Sequence, residues 1–116
     1  MYGLPDDFDG SVFVGLELVE ISFTANTVHL AFDADVSITI GSRFILHVGG
    51  TREEHDVPVK TSSLTALIGR SVRLVDANPD GTLRLQFDGG DALTCVDDSK
   101  VYESYQIHFA GREIII

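Results

Sequence analysis

The sequence predicts a mainly β protein: two tandem β-meander repeats packed as a barrel or sandwich with pseudo-twofold symmetry, plus one short helix near residues 61–68. Three observations predict it. Apolar and polar residues alternate with period two along most of the chain, which marks half-buried strands. Turn-forming residues separate the alternating runs at short intervals. The two halves of the chain also align with each other at a nearly constant offset.

The elements follow in order. "GLELVEI" (15–21) opens the alternation, although Leu16 and Val19 crowd its polar face. A β-bulge that shifts parity accounts for such crowding, as does a second face covered by the helix or a partner. "TVHLAF" sets Val28, Leu30 and Phe32 inward, with Thr27, His29 and Ala31 outward. "VSITI" aligns Val36, Ile38 and Ile40; "RFILHV" aligns Phe44, Leu46 and Val48, with Ile45 a second outward apolar residue.

"KTSSLTALIGR" breaks the period and reads as a helix. Pro58 ends the strand before it, Thr61 or Ser62 caps it, Leu64, Leu67 and Ile68 form its apolar stripe, and Gly69 stops it. "TLRLQF" then points Leu83, Leu85 and Phe87 inward, Cys95 shares the inward parity of Leu93, and "SYQIHF" aligns Tyr105, Ile107 and Phe109. The expected last strand, Glu113–Ile116, turns back at Gly111 to pair with 104–109. Its consecutive isoleucines suggest cover on both faces, within the sheet. Turns fall at "FDAD", "VGGT", "ANPDGT", "FDGGD" and "AGR", and Pro79-Asp80-Gly81 is the clearest hairpin signal.

The internal alignment ties these pieces together. Residues 13–26, "FVGLELVEISFTAN", meet 67–80, "LIGRSVRLVDANPD", at an offset of 54. One inserted residue, Gly81, makes the offset 55, and "TVHLAFDADVSITI" then meets "TLRLQFDGGDALTC". After a longer insertion "FILHVGG" meets "YQIHFAG", matching His47 with His108 and Gly50 with Gly111. The expectation is a single domain, 1–116, of two units, 11–59 and 61–116, each of roughly four strands, hiding apolar faces against one another.

Charge narrows the functions. The net charge is −10, with ten acids against two bases in residues 1–59 and eight against six in 60–116. Broad binding of DNA, RNA or anionic lipid needs clustered Lys and Arg, so the composition argues against it. No run approaches the ~18 apolar residues of a membrane span, and the acidic start lacks the pattern of a signal peptide. A single cysteine, Cys95, forbids an internal disulfide and suits a cytoplasmic location.

Chemical motifs are few. "DANPDG" (76–81) opens like a calcium loop, but the position that needs a bidentate Glu holds Phe87, and a hairpin accounts for the stretch. His29, His47, His55 and His108 show no metal-ligand spacing. Cys95 reads as a buried small hydrophobe, and no nucleophile elbow or phosphate-binding glycine loop occurs. Asp33 and Asp88 follow the inward Phe of each unit and suit Asx-turns. No catalytic residue, metal or cofactor is expected.

"YESYQI…GREIII", with the upstream "LIGRSVRLV…DGTLRLQFDGGDAL", resembles a group of small bacterial proteins of unknown function. These share a Y-E-S-Y-x-I segment, a Gly turn and a final E-I-I-V-like strand. The resemblance covers mainly residues 64–116 and implies neighbourhoods where toxins and their immunity proteins are encoded. It carries no catalytic residues.

The expected function is therefore a non-catalytic interaction protein, such as an immunity protein or inhibitor that binds a basic toxin. Its candidate contacts are Asp6, Asp7, Asp9, Glu17, Glu20, Asp33, Asp35, Glu53, Glu54 and Asp56. The alternatives are a barrel that binds a small ligand and a dimeric structural module.

Overall fold

A computed structural model describes residues 8–57, 59, 62–97, 104–109 and 111–116. Ten strands form two antiparallel five-stranded sheets. In chain order these are β1 (Leu18–Phe23), β2 (Val28–Phe32), β3 (Val36–Ile40), β4 (Phe44–Val48) and β5 (Thr51–His55). There follow β6 (Val72–Ala77), β7 (Leu83–Phe87), β8 (Ala92–Cys95), β9 (Tyr105–Phe109) and β10 (Arg112–Ile115). The first sheet runs β1-β2-β3-β9-β10 and the second β5-β4-β8-β7-β6. Each half of the chain thus gives three strands to one sheet and a hairpin to the other.

Alternation produces this arrangement directly. Strands β2, β3 and β7 each bury their first, third and fifth residues, including Val28, Leu30, Phe32, Leu83, Leu85 and Phe87. Both inner faces meet in one hydrophobic cluster, in which Phe13 and Phe32 pack edge to face with centroids 5.6 Å apart. At roughly 25 cal/mol per Å² of apolar surface, burial of these side chains is the main stabilising term. The two sheets form a sandwich joined along one edge, where β1 meets β6 through the isolated bridge Glu17–Ser71.

The helical expectation takes a tighter form. Helical turns among the described residues are all 3₁₀: Gly10–Phe13, Ser63–Leu67 and Asp88–Gly90. Ser62 caps the second by accepting from the Leu64 amide, and Thr61, Pro58 and Lys60 lie outside the described residues. With 3.0 residues per turn, Leu64 and Leu67 share the buried side, whereas Ile68 is an extended cap residue that turns outward. The turn at Gly10–Phe13 carries no helical period and escapes a sequence reading. It packs on β6 so closely that a Cβ at Gly10 falls 2.7 Å from Val75 Cγ1.

The final strand departs from its expected cover. Strand β10 is the outer strand of its sheet, with Ile114 and Ile116 buried but Ile115 36% exposed. Only its inner face meets the core. Ile116 is held by two backbone bonds, its amide to the Tyr105 carbonyl (2.9 Å) and its carbonyl from the Ser104 amide (2.6 Å). No helix among the described residues is long and apolar enough to cross a membrane.

Candidate functional site

The edge where the sheets join is the most distinctive surface. Gly15 and Gly69, both at φ +86°, each follow a 3₁₀ turn and redirect the chain into the junction. Four backbone bonds close it in matched pairs. The Gly15 amide donates to Val72 (2.8 Å) and the Val72 amide to Leu16 (2.8 Å); the Gly69 amide donates to Leu18 (2.7 Å) and the Leu18 amide to Arg70 (3.0 Å). Beyond these bonds both strands are bulged, between Leu18 and Glu20 and between Val72 and Leu74, and they part. The crowding of Val19 is thus a bulge.

Parting strands expose apolar side chains. Of the six large hydrophobics exposed among the described residues, four flank this junction, Val14, Val19, Ile68 and Leu74, whereas Phe23 lies at the far end of β1, paired with Val28. Val14 and Ile68 end the two 3₁₀ turns, Val19 is the extra residue of the β1 bulge, and Leu74 follows Arg73, the extra residue of the β6 bulge. Single exposed hydrophobics are ordinary, whereas these four fall on two adjoining segments of chain.

Acids border it. Glu17 and Glu20 are exposed on and beside β1, and the β2–β3 hairpin brings Asp33 and Asp35 to the same end. Asp33 does not close an Asx-turn; its carboxylate accepts from the Glu17 amide (3.2 Å) while its own amide donates to the Glu17 carbonyl (3.1 Å). On the β6 side the Asp88 amide donates to Ser71 (2.9 Å), and its carboxylate accepts from Arg70 Nε (2.8 Å). Arg70 also donates to the Asp88 carbonyl and lies 3.5 Å from Asp91. Its charge is held between two carboxylates, so the acids Glu17, Glu20, Asp33 and Asp35 on the β1 side face the exposed Arg73 of the β6 bulge as the other charge of this rim.

The remaining predicted acids lie elsewhere. Because the β4–β5 hairpin crosses to the second sheet, Glu53 and Glu54 sit on β5 at the edge opposite β6, with Asp56 just beyond them. Glu54 pairs with Arg43 (3.1 Å) and Arg52 (3.0 Å). Asp9 caps the first 3₁₀ turn, and the Ser11 amide it accepts (2.9 Å) lowers its carboxyl pKa. Asp6 and Asp7 lie outside the described residues.

Glu53 makes a tighter cluster that sequence separation hides. It accepts the Ser63 hydroxyl (2.5 Å) and amide (3.2 Å) and contacts His55 Nε2 (2.8 Å). The Ser63 hydroxyl first, then His55, hold its carboxyl down at about 2. In a nucleophilic triad the imidazole stands between hydroxyl and carboxylate. Here the carboxylate stands in the middle, and a group with so low a pKa is a poor base for Ser63. The cluster is a clasp between the second 3₁₀ turn and β5.

Other candidates resolve as structure. Burial pushes the Cys95 thiol up to about 12, so it carries almost no thiolate near neutrality. Asp76–Gly81 contains the β6–β7 hairpin, in which Asn78 donates to Thr82 (2.9 Å) and Asp80 accepts from the Thr82 amide (2.9 Å). Among the described residues no three His, Cys, Asp or Glu side chains are grouped to hold a metal ion. His29 contacts Thr39 across β2–β3 (2.9 Å).

Sequence reasoning singled out Glu17, Glu20, Asp33, Asp35 and Val19 but missed the exposure of Val14, Ile68 and Leu74 at this junction. The break in alternation at Val19 was the available signal. Among known proteins, the model of a family of unknown function (DUF6188) matches residues 11–116. No curated protein and no solved structure matches the chain significantly.

Proposed function

We propose that this chain, which belongs to the DUF6188 family of unknown function, is a non-catalytic interaction protein that binds a basic protein partner through the β1–β6 junction. The observation that carries the reading is the exposure of Val14, Val19, Ile68 and Leu74 on the segments that meet at the junction, beside Glu17, Glu20, Asp33 and Asp35. An apolar centre supplies affinity on desolvation, and an acidic rim supplies steering and selects a cationic partner. A second copy is the weaker occupant, since two chains of net charge −10 repel each other.

The partner class we favour is a basic toxin, with this chain its cytoplasmic immunity protein or inhibitor. The matched hydrogen bonds at the junction and the interchange of hairpins between sheets support descent of the fold from two copies of one unit. On this reading the candidate contacts narrow to Glu17, Glu20, Asp33 and Asp35, while Asp9, Glu53 and Glu54 serve the fold.

The test is capture of the tagged chain's partner from its native host, followed by mass spectrometry. A stoichiometric basic protein is expected, released by Leu74→Arg or by Glu17→Lys with Glu20→Lys, and retained by Glu54→Gln. Capture of no stoichiometric partner, or equal capture by all variants, overturns the proposal.

A further inference from the structure

The two sheets are built alike but finished differently at their outer strands. Strand β5 lies beside β4 in one sheet as β10 lies beside β9 in the other. At β5 the neighbouring 3₁₀ turn is fastened by the bonds from Ser63 to Glu53. At β10 nothing equivalent exists: no hydrogen bond or ion pair joins residues 8–13 to residues 112–116 among the described residues. The carboxylate of Asp9 turns back onto its own Ser11 amide, and the facing strand offers Ile114.

The unfastened seam is an open groove of about 190 Å³. It is lined by Phe8 and Phe109, whose rings meet edge to face with centroids 6.2 Å apart, by Val12 and Ile114, and by Ser11 and Asp9, whose carboxylate is taken up by the Ser11 amide. Arg112 also lines it, with the guanidinium 5.5 Å from the Phe109 ring centroid. Arg43, Arg52 and Arg70 contact carboxylates, whereas Arg112, like Arg73 and Arg84, makes no ion pair among the described residues. A cation stacked on an aromatic face keeps its in-plane N–H donors free for an anion.

We propose that this groove binds a small organic carboxylate with an aromatic or branched aliphatic body. The body lies against the joined Phe8 and Phe109 rings, Val12 and Ile114, and the carboxylate accepts from Arg112 in a charge-assisted bond. Size agrees, since an apolar cavity of about 150 Å³ holds one benzene ring. The overall charge of −10 argues against any broad attraction for anions, so recognition rests on this one guanidinium. The site is separate from the β1–β6 junction and stands or falls independently of the proposed protein partner.

The probes are benzoate and the neutral benzyl alcohol, titrated into the ¹⁵N-labelled full chain with amide shifts recorded. Saturable shifts centred on Ser11, Phe109 and Arg112 are expected with benzoate. Arg112→Gln weakens benzoate roughly tenfold, the loss of one charge-assisted contact, leaves benzyl alcohol unchanged, and is rescued in part by Arg112→Lys. Melting curves establish that each variant is folded. Shifts that do not saturate, that lie elsewhere, or that persist undiminished in Arg112→Gln overturn the proposal.

Discussion

Ser63 donates its amide and its hydroxyl to the two carboxylate oxygens of Glu53, at 3.2 and 2.5 Å. The bonds tie a 3₁₀ turn to the edge strand β5, whose sequence "TREEH" is too polar to be held by burial alone. Charged residues on an edge strand also discourage pairing with other chains. One carboxylate therefore serves both local order and protection of the edge.

This clasp predicts a pH dependence. The Glu53 carboxyl is lowered from 4.5 to about 2 in the folded chain, so folding favours its ionised form. Its stabilising contribution is complete above about pH 4.5 and is lost as the pH falls from there through about 2. Urea midpoints measured from pH 7 down to pH 2 should fall less steeply over that window in Glu53→Gln than in the parent. Identical slopes would remove the clasp from the stability of the fold.

Tyr105 makes the second prediction. Its buried hydroxyl donates to the Gly81 carbonyl at 2.5 Å, linking β9 to the β6–β7 turn in the other sheet. Burial first, with the nearby Cys95 thiol and acids, pushes its ionisation upward. Tyr105→Phe keeps the ring but strands an acceptor, a loss of about 1–3 kcal/mol in chemical denaturation. In alkaline titration followed by ultraviolet absorbance, Tyr105 should ionise only as the protein unfolds.

Two of the three hairpins of the first half invite opposite changes. Gly49 and Gly50, at φ +60° and +81°, supply the left-handed pair that the β4–β5 turn requires. In the β2–β3 turn Ala34 and Asp35 occupy φ +61° and +58°, where side chains other than Asn and Asp are disfavoured. Gly49→Ala, with no atom near the added methyl, should lose about 1–2 kcal/mol from backbone conformation alone. Ala34→Asn should gain about 0.5–1 kcal/mol, because Asn suits the first position of such a turn. Thermal melts of both variants check the signs.

How far the sequence was legible follows from which interactions are local. Val28, Leu30 and Phe32 were readable as inward because strand parity is a property of neighbours in the chain. The strand Thr51–His55 was not, because its burial alternates weakly and its side chains carry charge. The exchange of hairpins between sheets separates Glu53 from Glu17 although both belong to the acidic half. Glu53 and Ser63 meet for the same reason, ten positions apart along a chain that no short motif spans. Ile115 was expected under cover, yet β10 is an outer strand and only alternate residues reach the core.

The junction makes the final prediction, in which charge and apolar surface separate kinetically. Acids at a rim act mainly on encounter, and apolar groups at a centre act mainly on dissociation. Glu17→Lys with Glu20→Lys should slow association with the captured partner by about tenfold and flatten its dependence on salt. Leu74→Ser should leave association nearly unchanged, speed dissociation by about tenfold or more, and alter stability by no more than ~0.5 kcal/mol, since the side chain is already exposed. Surface plasmon resonance at two ionic strengths distinguishes the two effects. Glu54 provides the internal reference: its carboxylate is engaged by Arg43 and Arg52 on the far edge, so Glu54→Gln should change neither rate. If Glu54→Gln slows association as much as the Glu17 and Glu20 pair does, the partner responds to total charge and the junction is not its docking surface.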